Sequence, residues 1–198
     1  MINARALQDK VLLRWAVDTP LEWKRANTTG FKLTKFIIKR DGKVLLQPEK
    51  TELSSKLITP EPLESWMDLI QKDNYAAIIA QGIYGESFEV GDTKEGQISK
   101  IINIAEELDQ RYSFSLYAAD MSFEGALKAG WGFVDKNVKA NEEYVYQIAI
   151  AENLLVKPSS YAISLKDFVP LPAPTDLFCI TDEFLKILKN NSFFFNWK

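Results

Sequence analysis

Apolar and polar residues alternate along EYVYQIAI, Glu143 to Ile150, with Tyr144, Tyr146, Ile148 and Ile150 at period two. That spacing predicts a strand with these four side chains on one face and Val145, Gln147 and Ala149 on the other. The turn-forming DKNVKANE precedes it and ENLLVKPSS reads as the loop that follows. An aromatic period-two strand entered through a polar corner predicts the core strand of a β-sandwich, and the neighbouring segments fit the same architecture. KVLLRWAV, Lys10 to Val17, predicts a second strand, with Val11, Leu13 and Trp15 on one face and Trp15 as core anchor. Phe31 to Ile38 predicts a third. Asp41 and Gly42, both tolerant of positive φ, predict a tight turn into Lys43 to Leu46. Ser159 to Phe168 alternates again and predicts the last strand. Residues 1 to 10 read as a polar lead-in, and TPLEWKRANTTG as a polar connection carrying Trp23.

Between these segments the period changes. In Pro60 to Lys72, Leu63, Trp66, Met67 and Ile70 recur at helical spacing behind a proline start. Tyr75 to Tyr84 reads as a second helix, with a buried strand as the alternative. Gln97 to about Ala119 is the longest predicted helix, its inward stripe made of Ile98, Ile101, Ile102, Ala105, Leu108 and Tyr112. Tyr112, Phe114, Leu116 and Ala118 also alternate, which leaves helix and strand open for that part. Phe123 to Ala129 predicts a short helix stopped by Gly130 and Gly132. PLPAP at residues 170–174 reads as a stiff linker. Leu177 to Ile180 and Ser192 to Lys198 are expected to open a second sandwich, with Trp197 repeating the position of Trp15. The expected organisation is therefore a mainly β domain over residues 1–169 with a helical insertion at about 49–133, the linker, and the start of a second domain at 175–198.

Composition narrows the chemistry. With 46% hydrophobic and 26% charged residues the chain is a globular one rather than a disordered one. A net charge of -3 and no dense Lys/Arg run argue against nucleic acid as a partner. The absence of histidine removes the commonest general base and metal ligand, and Cys179 alone supports neither a disulfide within the chain nor a cysteine zinc site. No run is apolar and long enough to predict membrane insertion. MINARALQDK has no apolar core of a signal peptide, so either an intracellular protein or one whose export signal was removed is expected.

The strand pattern resembles fibronectin type III. KVLLRW is similar to that family's second strand with its core tryptophan, and GFKLTKF followed by RDGKVLL to its third and fourth. Asn137 to Ile150 resembles its polar corner, with Tyr144 in the tyrosine-corner position, and SYAISL its last strand. The resemblance covers residues 8–48, 134–169 and the fragment from 175, and departs from the family over about 49–133. It implies tandem modules of the kind found in large bacterial surface or secreted proteins, and hence an extracellular, cell-surface or periplasmic location, with intracellular or virion assembly also open.

Glu86, Glu89, Asp120 and Glu124 lie beside aromatics, as glycosidase carboxylates do, but a solvated loop and a helix start capped by Asp120 or Ser122 account for them. GESFEVGDTKEG lacks phosphate-loop spacing, and Asp92 and Glu95 lack that of a calcium loop, so no cofactor or metal is expected. The aromatics of the insertion, among them Tyr75, Tyr112, Phe114, Tyr117 and Phe123, mostly pack its helices; any left exposed would form a protein-binding face. Trp66, Tyr84, Phe88 and Trp131 are the residues singled out for that face. The expected function is non-catalytic: a structural or protein-binding module of a larger assembly whose insertion contacts a partner. The alternative is part of a polysaccharide-degrading or carbohydrate-binding protein.

Overall fold

In a computed structural model the chain is described over residues 1–86, 97–151 and 157–170. It divides after Phe168 into two units, Met1–Phe168 and Val169–Lys198, and the architecture below is that of the first. The strands expected beyond the linker, with Cys179 and Trp197, lie outside the described residues.

Seven strands form two antiparallel sheets. β1 (Ile2–Ala6), β2 (Val11–Trp15) and β5 (Gly132–Asp135) make one, with β2 central. β3 (Phe31–Arg40), β4 (Lys43–Glu52), β6 (Glu142–Ile150) and β7 (Ser159–Ser164) make the other, in the order β4-β3-β6-β7. The hairpin from β3 to β4 turns on Asp41 and Gly42, at φ 52 and 76, the two positive dihedrals that a tight hairpin turn with strand-matching twist requires. Past Ile37 the ladder slips: Ile37 faces Glu49 while Lys39 faces Val44, so residues 45–48 bulge from the edge strand.

The inner faces are the predicted ones. Val11, Leu13 and Trp15 from β2 meet Phe31 and Leu33 from β3 and Tyr144, Tyr146, Ile148 and Ile150 from β6 in a single core. Trp15 stands edge-on to Phe31, with ring centroids 5.8 Å apart. Burying each large side chain of this kind contributes about 1.5–3 kcal/mol. One polar cluster sits among them. Lys35 of β3 donates to Asp135 Oδ2 of β5 at 2.8 Å and to the Asn137 carbonyl at 2.6 Å, bridging the sheets. Tyr146 donates to the same carboxylate at 2.8 Å. Burial, then the hydrogen bond to Asp135 and that carboxylate's charge, pushes the Tyr146 phenol far above its ordinary range, so it stays a donor. The Lys139 amide donates to the Tyr144 hydroxyl at 2.6 Å, and that hydroxyl donates to Glu142 at 2.8 Å. Burial opposes ionisation of Glu142, but the bonds from Tyr144 and Arg40 win and hold its carboxyl below the usual value.

Helix and strand take nearly equal shares, so the chain is mixed α and β rather than mainly β. Three elements are missing from the sequence expectation, of which one, α1, adds to the helical share. The expected polar lead-in is β1, whose Ile2 and Ala6 face the core while Asn3 stays outside. The expected polar connection is helix α1 (Pro20–Thr29). Thr19 caps its start, Pro20 occupies its first turn, and Gly30 ends it at φ 83; only Trp23 and Ala26 are buried. The four-residue β5 completes the first sheet beside β2, with Arg14 opposite Gly132.

The inserted segment is helical. A 3₁₀ turn at Leu63–Trp66 leads into the short α2 (Met67–Ile70), a briefer helical stretch than Pro60 to Lys72 because Pro60 and Pro62 restrict its start. α3 (Asn74–Tyr84), α4 (Gln97–Met121) and α5 (Phe123–Lys128) follow. The 112–119 stretch left open above is helix within α4, not a strand, and the first sheet takes β5 beside β2 instead.

Candidate functional site

Local chemistry fixes the helices of the insertion. Asp73 caps α3, its carboxylate accepting from the Tyr75 and Ala76 amides at 2.8 and 3.1 Å, and Ser122 caps α5 through the Gly125 amide at 2.9 Å. Arg111 of α4 ties the two long helices together. It pairs with Glu107 at 2.7 Å and donates to the Gly85 and Glu86 carbonyls, both at 2.7 Å, satisfying groups that the end of α3 leaves free. Where α3 and α4 cross, a Cβ on Gly82 would stand 2.0 Å from Ser115 Oγ, so with Ser115 in place only glycine admits this approach.

α4 is anchored through aromatics to α1 and to the segment that follows β2. Tyr112 donates to the Val17 carbonyl at 2.9 Å and meets Trp23 edge-on at 6.4 Å. Trp23 packs on Trp131 at 5.9 Å, whose indole donates to Asn27 of α1 at 2.8 Å. The Arg14 guanidinium lies 5.9 Å from the Trp131 ring and 3.6 Å from Asp120; burial nonetheless lowers its pKa.

The residues singled out from sequence divide accordingly. Trp66 is 0% exposed and Trp131 2%, so both are core side chains with no face toward solvent. Trp66 donates to the Glu61 carbonyl at 2.9 Å, and half-buried Tyr84 donates to that same carbonyl, the two rings meeting edge-on at 6.4 Å. The structure thus joins Trp66 and Tyr84, while Trp131 belongs to the Trp23 cluster. Phe88, like Glu89, Asp92 and Glu95, lies outside the described residues.

Exposed apolar surface on the insertion is elsewhere. Phe114, Tyr117 and Met121 are 62%, 57% and 54% exposed and share one face of α4 at positions i, i+3 and i+7. Tyr117 meets Tyr75 of α3 edge-on at 6.2 Å, and exposed Ile78 lies one turn along α3 from Tyr75. Beside this stripe run exposed Glu106, Asp109, Ser113 and Asp120. A sequence signal for the face exists. Extending the inward stripe through Leu108 and Tyr112 by helical steps reaches Leu116 and Ala119, which leaves Phe114, Tyr117 and Met121 on the opposite side.

Two other features are weaker. Val44 and, on the bulge, Leu46 are exposed along the β4 edge, but Lys43, Pro48 and Lys50 blunt that edge against strand pairing. A cavity of about 280 Å³ opens between Trp15, Phe31, Ile148 and Ile150, with Asp18 and Lys157 at its rim. It is at the small end of ligand sites, which run from about 300 to 1,000 Å³. Among the described residues no group of three or more Cys, Asp or Glu side chains is placed to hold a metal, and no helix is long and apolar enough to cross a membrane. No family model, curated protein or solved structure matches the chain.

Proposed function

We propose that this chain is a non-catalytic protein-binding module of a larger assembly: a fibronectin-type-III-like sandwich whose helical insertion contacts the partner. The strand order supports the sandwich reading. β2 lies beside β5 in one sheet, and β3, β6 and β7 are neighbours in the other, as in immunoglobulin-type seven-strand domains. The fourth strand joins the second sheet because its short hairpin ties it to β3. The Tyr144 hydroxyl reaching back to the Lys139 backbone is a further support, being the contact a tyrosine corner makes.

The observation that carries the function is the aligned exposure of Phe114, Tyr117 and Met121 on a helix held both to α3 and to the segment that follows β2. A folded domain gains nothing by leaving three large apolar side chains in water on one face, whereas an interface core is built of such groups. A carbohydrate site would use solvent-facing aromatic faces, whereas Trp66 and Trp131 are buried.

The test is affinity capture from native extract with the intact chain and its Phe114→Ser/Tyr117→Ser/Met121→Ser variant. All three positions are exposed, so the melting temperature of the variant is expected to stay within a few degrees of the parent. A specific protein retained by the parent and lost by the variant supports the reading. The same protein retained equally by both would remove α4 as the contact surface.

A further inference from the structure

We propose, resting on the reading above, that the occupant of the α4 face is a basic amphipathic helix of a partner protein. Its apolar side seats along Phe114, Tyr117 and Met121, and its cationic side over Glu106, Asp109 and Asp120. The three apolar positions span seven residues of one helix, about 10 Å at 1.5 Å per residue, which matches two turns of a facing helix. Ile78 on α3 widens the stripe on one side.

Charge selects the occupant. Residues 101–127 carry five acidic side chains and one basic one, Arg111, whereas the whole chain has a net charge of only -3. Residues 57–93 are acidic as well, with seven acidic side chains and one basic, so it is the placing of carboxylates beside the apolar stripe that bears on the occupant. Arg111 is turned inward onto Glu107 and the end of α3. Glu106, Asp109, Asp120 and, at the start of α5, Glu124 are exposed, and Asp120 keeps 73% of its side chain in solvent while pairing with Arg14. An apolar stripe bordered by carboxylates favours a cationic partner and repels anionic ones, including nucleic acid and acidic membrane surfaces. It also disfavours a second copy of this chain packed antiparallel, since a two-fold axis across α4 would bring the two acidic borders together.

The test is fluorescence anisotropy with the full chain and two labelled model helices of equal length, one built from Leu and Lys, the other from Leu and Glu. The Leu/Lys helix is expected to bind and to weaken as salt rises, and the Leu/Glu helix is expected not to bind. Phe114→Ser/Tyr117→Ser should weaken the Leu/Lys complex by about tenfold or more, as loss of central aromatic anchors does. Glu106→Lys/Asp109→Lys should reduce both the affinity and the salt dependence. Equal binding of both helices, no binding of the Leu/Lys helix, or binding indifferent to Phe114 and Tyr117 would each overturn the inference. If native capture still depends on Phe114, Tyr117 and Met121, the face stands as an interface and only the partner class fails. If sedimentation shows dimerisation through that face, the occupant is a second copy.

Discussion

Lys35 and Asp135 are 4% and 3% exposed and lie on strands of opposite sheets, so their ion pair is one of the polar links through an otherwise apolar interior. Such a pair gains little over an apolar replacement, but removing one partner strands the other charge. Lys35→Met should therefore cost about 3–5 kcal/mol in urea unfolding. Adding Asp135→Asn should recover much of that loss, because the asparagine carries no charge, its single carbonyl oxygen can still accept from the Asn137 amide, and its NH2 can donate to the Tyr146 hydroxyl oxygen. A double variant no more stable than Lys35→Met would contradict this account. The roles of Trp15, Tyr144 and Tyr146 were legible in the sequence because period two assigns each a face. Those of Trp66 and Trp131 were not. Each lies beside chain breaks, Pro60 and Pro62 or Gly130 and Gly132, where no period is long enough to separate an inward tryptophan from an outward one.

Gly82 and Ser115 set how closely α3 and α4 approach. Gly82→Ala should destabilise by about 1–3 kcal/mol, since the new methyl would overlap the Ser115 hydroxyl. Ser115→Ala should be neutral or stabilising, because that buried hydroxyl has no hydrogen-bond partner among the described residues. Combining the two should restore stability to within about 1 kcal/mol of the parent, as the nearest remaining atoms, the Arg111 carbonyl oxygen and Ser115 Cβ, are both 3.4 Å away. Thermal unfolding of the four proteins checks the cycle, and a double variant as weak as Gly82→Ala would place the strain elsewhere. At this scale the sequence was legible where a period ran long. α3, α4, β3 and β6 emerge directly from it. β1 and β5 are too short to establish a period, and α1 buries only Trp23 and Ala26, so tertiary packing rather than pattern decides them. Thr19, Pro20 and Gly30 did mark the ends of α1, a start-and-stop signal stronger than its weak amphipathicity.

The two sheets share one core, and the helices add an apolar surface that the sheets alone do not have. That division follows from the chain itself. The apolar periods of β2, β3 and β6 are consumed in one core, while α4 has more apolar residues than its inward stripe requires, and its surplus faces water. The sequence expectation put a contact surface of the insertion on Trp66, Tyr84, Phe88 and Trp131; the exposed apolar face of α4 was not legible, because the alternation of Tyr112, Phe114, Leu116 and Ala118 left helix and strand open there. The central claim is that this α4 face, and not the edge bulge of β4, meets the native partner. The most direct measurement places a photo-crosslinking phenylalanine analogue at Tyr117 in one preparation and at Leu46 in another, with irradiation in native extract. The account predicts an adduct of one defined mass from position 117 and none from position 46. No adduct at 117, whether or not one forms at 46, would contradict it.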